Sequence, residues 1–126
     1  MGFLSSLLSN ASTVPNAELV QSYGQLLTEG EQIDIGFRLL RDVFMFTNKR
    51  LILVDKQGLT GRKTEYFSIA YKSISRFSIE TAGDFDLDAE LKIWISGEAA
   101  PSIQKKFNRQ VSIYDVQKVL AKYVLG

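Results

Sequence analysis

The chain has 126 residues, of which 45% are hydrophobic and 23% charged, with a formal net charge of +1 and neither cysteine nor histidine. That length suits one domain able to bury a core without disulfides or a structural metal. The two absences exclude thiol and imidazole catalysis and the usual zinc, copper and haem ligand sets, and a net charge near neutrality gives no whole-molecule field for nucleic acid, so neither a cofactor nor a nucleic-acid partner is expected.

The first ten residues place Phe3, Leu4, Leu7 and Leu8 on one stripe of a short helix, a candidate anchor to a membrane or a partner. They lack a basic leader, and no run approaches the roughly 20 apolar residues of a spanning helix, which makes the cytoplasm the expected location, with membrane association left open. Ser12 to Asn16 reads as a loop around Pro15. A second helix is expected from about Ala17 to Thr28, with Gly24 weakening it and Gly30 just past its end.

After Gly30 the period changes to two. Ile33, Ile35 and Phe37 alternate with polar residues or glycine as a half-buried strand. Asp42 to Phe46 and Leu51 to Asp55 read as a hairpin across Thr47-Asn48-Lys49-Arg50, with Asn48 the residue best suited to a left-handed turn. Both arms are apolar at nearly every position, so both faces require a cover. Further antiparallel strands are expected at Glu65 to Tyr71 and Ser75 to Glu80. The stretch GDFDLDAELKIWIS gives a long alternating strand with an acidic outer edge, and a short strand is expected from Ser102 to Phe107. Ser112 then caps a closing helix with Ile113, Val116, Leu120, Tyr123 and Val124 on its buried stripe. This order predicts a mainly β protein with terminal helices, built as a strongly bent sheet or partly open barrel plugged by the last helix.

FTNKRLILVD, EYFSIAYKSISRF, AGDFDLDAELKIWISG and the terminal helix together resemble the bacterial pleckstrin-homology-like domain family, over about Glu29 to Leu125. The resemblance implies a pleckstrin-homology-like partly open barrel of two nearly orthogonal antiparallel sheets, about seven strands, capped by the C-terminal helix. Residues 1–28 would be a helical extension and 29–126 the domain. It also implies closed homo-oligomeric rings, five-fold in single-domain members. On that expectation Val43, Phe44, Met45, Phe46, Leu51, Ile52, Leu53 and Val54 are candidates for the oligomer interface, with the N-terminal helices as the alternative cover.

Asp84, Asp86 and Asp88 have a calcium-like spacing, but Ala89 stands where that loop needs glycine and Ile95 where it needs glutamate. With Glu90 and Lys92 they form a candidate displayed polar surface for an unidentified protein partner, against the plain reading of a solvated strand face. Arg38, Arg41, Arg62 and Lys63 are candidates for anion or membrane contact, against solvated or ion-pairing roles. Lys105, Lys106 and Arg109 form a small basic cluster that reads as a solvated strand end. Trp94, on the polar side of its strand, is a candidate interface anchor, against the plain reading of packing beneath a loop. No nucleophile elbow, Ser-x-x-Lys or phosphate-cradling loop is present, so the expectation is a non-enzymatic, self-associating interaction module. A peripheral membrane module and a carrier of a small apolar ligand are the alternatives.

Overall fold

The computed structural model describes residues 13–39, 41–59, 62–81, 88–108 and 113–126. Their order is β1 (Thr13–Val14), α1 (Asn16–Tyr23), a 3-10 turn (Gly24–Leu26), β2 (Ile33–Arg38), β3 (Val43–Thr47), β4 (Arg50–Gln57), β5 (Lys63–Ala70), a 3-10 turn (Tyr71–Ser73), β6 (Ile74–Glu80), β7 (Asp88–Ile95), β8 (Ile103–Asn108) and α2 (Ile113–Leu125). The strands form a five-stranded sheet, β1-β2-β3-β4-β5, and a three-stranded sheet, β6-β7-β8, neither closed on itself. The residues up to Ile69 and those from Ala70 on are two compact units.

In the first unit, Pro15 opens α1 by accepting the Glu18 and Leu19 amides on its carbonyl at 3.0 and 3.1 Å. The helix ends earlier than its apolar spacing suggests, at Tyr23. Gly24 keeps a right-handed conformation and begins the 3-10 turn, so no left-handed cap closes the helix. Gly30, with φ of 78°, serves instead as the third residue of a reverse turn in which the Glu31 amide donates to the Thr28 carbonyl at 3.0 Å, a position that needs positive φ. The segment before Pro15 is also more than a loop, because Thr13 and Val14 pair with Phe37 and Gly36 as a short edge strand.

The β2 strand departs from simple alternation. Ile35 pairs with Phe46 but Ile33 pairs with Thr47, so Asp34 is an extra residue and Ile33 moves to the opposite face from Ile35 and Phe37. The Asn16 amide fastens this bulge, donating to the carbonyls of Ile33 and Asp34 at 3.2 and 3.0 Å. Ile33 consequently joins Val14, Leu19, Val43, Met45, Ile52 and Val54 in one cluster, with Tyr23, Leu26 and Leu27 of the helical segment packed against it.

That cluster answers why the hairpin is apolar on both sides. Helix α1 and its 3-10 extension cover the face of Val43, Met45, Ile52 and Val54, while Phe44, Phe46, Leu51 and Leu53 point the other way beside Phe37, whose ring meets that of Phe46 edge-on at 6.3 Å. All eight hairpin residues expected at an oligomer interface are at most 4% exposed in the single chain. Val43, Phe44, Met45, Phe46, Leu51, Ile52, Leu53 and Val54 are thus core of the single chain, and on one face the cover is the N-terminal helical segment that the sequence offered as the alternative to a neighbour.

In the second unit, Phe77 and Ile79 pair with Ile93 and Leu91, and Ile93 pairs with Ile103, giving an apolar face. The amphipathic helix α2 buries Ile113, Val116, Val119 and Leu120, and Tyr123 stacks on Tyr71 with ring centroids 4.6 Å apart. Tyr123 and Val124 are half-buried, so the buried stripe runs through Val119 and fades toward the C-terminus. Ser112 and residues 82–87, where the cap and the start of the long acidic strand were expected, lie outside the described residues; the described part of that strand begins at Asp88.

Candidate functional site

Three polar arrangements stand out, and the first is buried. Glu31 has no exposed side-chain surface, yet both carboxylate oxygens are fully engaged. Oε1 accepts from the Thr28 amide and Arg50 Nη2, each at 3.0 Å; Oε2 accepts from Arg50 Nε at 2.9 Å and from the Thr47 hydroxyl at 2.6 Å. Arg50 also donates to the Leu26 carbonyl at 2.6 Å and to Ser68 Oγ at 2.9 Å, tying the end of the helical segment to β4 and β5. Burial pushes the Glu31 carboxyl up, but hydrogen bonds from Arg50, Thr47 and Thr28 and the Arg50 charge outweigh it, and the pKa falls from 4.5 to about 2.

The same network builds the Thr47-Asn48-Lys49-Arg50 turn. Thr47 Oγ1 accepts the amides of Lys49 and Arg50 at 3.0 Å each, so a side chain closes the turn. Asn48 contributes its amide group and keeps a negative φ: among the described residues only glycines have positive φ. Its Oδ1 accepts the Gln32 amide at 2.8 Å and its Nδ2 donates to the Gly30 carbonyl at 3.0 Å, stitching this turn to the one before β2. With four donors on its carboxylate and a pKa near 2, Glu31 is a poor proton acceptor. The cluster holds strands together and leaves no oxygen for a substrate. Sequence reading passed over Glu31 because a lone glutamate beside a turn carries no periodic signal.

The second arrangement is the polar face of β6-β7-β8. Arg76 lies opposite Trp94, Ser78 opposite Lys92 and Glu80 opposite Glu90, while Gln104 and Lys106 of β8 continue the last two rows. Glu90 accepts from Gln104 Nε2 at 3.0 Å, with Lys92 Nζ 3.9 Å away. Arg76 lays its guanidinium over the Trp94 ring, 5.0 Å from the centroid, so the half-buried indole is covered by a cation. Of the five residues expected on a displayed surface, Glu90 and Lys92 meet here beside Arg76 and Trp94. Asp84 and Asp86 lie outside the described residues, and the backbone of Asp88 pairs with that of Asn108.

The third arrangement gathers the connections β2-β3 and β4-β5, which an antiparallel meander places at one end of its sheet. Arg41 donates to the Gly58 carbonyl at 2.6 Å, and Asp42 Oδ1 accepts the Lys56 amide at 3.1 Å. Lys56, Arg62 and Lys63 are exposed and Leu59 is fully exposed. Arg38 instead pairs with Glu18 of α1 at 3.0 Å, an exposed ion pair worth about 0–1 kcal/mol. Phe3, Leu4, Leu7 and Leu8, and with them the proposed anchor, lie outside the described residues, as does Arg109.

Apart from these arrangements, a cavity of about 330 Å³ is lined by Thr13, Val14, Pro15 and Asn16. Among the described residues no group of His, Cys, Asp and Glu is arranged to hold a metal ion, and no helix is long and apolar enough to cross a membrane.

A short helix, two open antiparallel sheets and a C-terminal amphipathic helix define a pleckstrin-homology-like module. The model of the bacterial PH domain family matches residues 2–124, and the chain belongs to that family. It is 60% identical over 121 residues to the uncharacterized protein YjqA of Bacillus subtilis (strain 168), covering 96% of this chain and 97% of that one. Two solved structures are similar. The pleckstrin homology domain from Shewanella amazonensis SB2B has a TM-score of 0.84 at 47% identity, covering 99% of this chain and 100% of its own. A protein with a pleckstrin-homology domain from Shewanella loihica PV-4 has a TM-score of 0.79 at 47% identity, covering 91% and 97%. These likenesses indicate no enzymatic family.

Proposed function

We propose that the chain is a non-enzymatic protein-protein interaction module that assembles into a homo-oligomeric ring, five-fold by its family resemblance, and displays the polar face of β6-β7-β8 in repeated copies. The observation that supports it most is that face itself, with Glu90, Lys92 and Gln104 in contact beside an arginine-covered tryptophan. Trp and Arg are the side chains that concentrate binding energy at interfaces. Rigid repetition of a weak site raises its effective concentration and gives an avidity that no single copy has. The ring contact itself would be made outside the hairpin core. Light scattering on a size-exclusion column, across a wide dilution series, tests the assembly: a stable mass near five subunits supports it, and a monomer at all concentrations overturns it.

A peripheral membrane module is the second reading. It is favoured by Leu59, fully exposed among Lys56, Arg62 and Lys63, an apolar tip set in cationic surroundings. Flotation with phosphatidylglycerol vesicles at low and high salt tests it, with Leu59→Asp and deletion of residues 1–10 as the variants that should lose the lipid. A carrier of a small apolar ligand is a third reading, supported by the cavity beside Asn16, and mass spectrometry of denatured purified protein would find such a cargo.

A further inference from the structure

Arg76 differs from the other well-anchored arginines of the chain. Arg38 spends its guanidinium on Glu18, Arg50 on Glu31, Leu26 and Ser68, and Arg41 on the Gly58 carbonyl. Arg76 has an aromatic ring beneath it, and among the described residues no carboxylate stands within ion-pair distance of it. The backbone below the pair is fastened. Ile74 pairs with Ile95 and Arg76 with Trp94, so Ser75 is the extra residue of a bulge, and its hydroxyl donates to the Trp94 carbonyl at 3.2 Å. The guanidinium over the indole is spent on no carboxylate among the described residues and so keeps its donors for an incoming planar carboxylate.

We propose that the Arg76–Trp94 pair is a carboxylate-binding site whose occupant is an acidic segment of a partner protein. This deepens the displayed-surface reading above and rests on it for the partner being a protein. Charge selects that occupant. Lys92 and Lys106 lie on the same face as Arg76 and add attraction, but Glu80 and Glu90 lie on it too. Glu80 is four residues from Arg76, about 13 Å along the strand. A dense polyanion such as a nucleic acid or an anionic bilayer meets those carboxylates as well as the cations and is repelled by them. A peptide can set an Asp or Glu on Arg76 and present neutral or basic groups further along.

Trp94 is the only tryptophan in the chain, so its fluorescence reports on the site directly. The probe is a short synthetic peptide with one Asp-Glu pair followed by glycines and lysines, titrated into the full chain beside its Asn-Gln counterpart. The expected result is a saturable change with the acidic peptide alone. Affinity should fall about tenfold in Arg76→Gln, and by less in Arg76→Lys, which keeps the charge but loses the two-pronged hydrogen bonding. Thermal melting of both variants at the wild-type temperature shows that the loss belongs to the site. Equal responses to the two peptides, undiminished binding in Arg76→Gln, or equal saturation by inorganic phosphate or phosphatidylglycerol vesicles would overturn the proposal. A monomeric protein that still titrates sinks the ring and keeps the site; a ring that does not titrate keeps the ring and sinks the site.

Discussion

Glu31 is a carboxylate with no exposed side-chain surface and four hydrogen-bond donors around it. Its folded pKa of about 2 lies below the ordinary 4.5. The group therefore stabilises the fold fully above about pH 4.5, and that contribution, of order 3 kcal/mol, is lost as pH falls toward 2. Glu31→Gln should lower the urea midpoint at pH 7 by an amount equivalent to roughly 3 kcal/mol, because Arg50 is left partly buried without its counter-charge. The difference from wild type should shrink as the buffer approaches pH 2.5. A difference that stays constant with pH would mean the carboxylate is not held ionised in the fold. Thr47→Val tests the turn at the same scale. It removes the acceptor for the Lys49 and Arg50 amides and one donor to Glu31, and should cost about 1–3 kcal/mol in denaturant unfolding, although valine suits a strand as well as threonine does.

At the scale of elements, the contact between α1 and β2 depends on a missing side chain. A Cβ at Gly36 would lie 2.6 Å from Leu19 Cδ1, and Leu19 is 1% exposed in the core cluster. Gly36→Ala should therefore push the helix from the sheet, costing about 1–3 kcal/mol, and Leu19→Ala should cost about 2–5 kcal/mol by opening a cavity. In Gly36→Ala/Leu19→Ala the new methyl group partly fills that space. The double variant should be more stable than the sum of the two losses predicts, by at least about 0.5 kcal/mol in a double-mutant cycle, and strict additivity would show that helix and strand do not meet through this pair.

The elements also show what sequence periodicity conveys. It was faithful for β6 and for most of α2, where apolar residues recur at the spacing of a regular strand or helix. It misled at Ile33, because a bulge adds one backbone residue, reverses the face of everything beyond it and leaves no mark in side-chain chemistry. The bulge is held by Asn16, seventeen residues away from Ile33, a contact that no local pattern can announce. The turn at Asn48 misled for a related reason: asparagine was credited with its tolerance of positive φ, whereas its amide group acts by binding Gln32 and Gly30. Polar alternation in β7 did mark the face that carries Glu90, Lys92 and Trp94. Arg76 was invisible as their neighbour until the register of β6 on β7 was known.

For the whole molecule, the doubly apolar hairpin left two covers open in the sequence, a neighbouring subunit or the N-terminal helices. The single chain already buries Val43 to Phe46 and Leu51 to Val54, with the helical segment covering one face, so this core needs no neighbour to complete it. An obligate oligomer, whose core is completed across an interface, gains stability with concentration by mass action. Here, wherever light scattering shows a monomer, the chain should still unfold cooperatively in urea with a midpoint that no longer changes on further dilution, because its core is complete in one chain. The polar rows of β6-β7-β8 and the tip at Leu59, which the proposed readings use, are distinct from the buried residues of the hairpin core. A dissociated chain without a cooperative urea transition would instead place part of the folding energy in the contact between subunits, and Tyr66, Tyr114 and Leu125, which with Val20 and Leu59 are the large exposed apolar side chains among the described residues, would be the first residues to substitute in locating it.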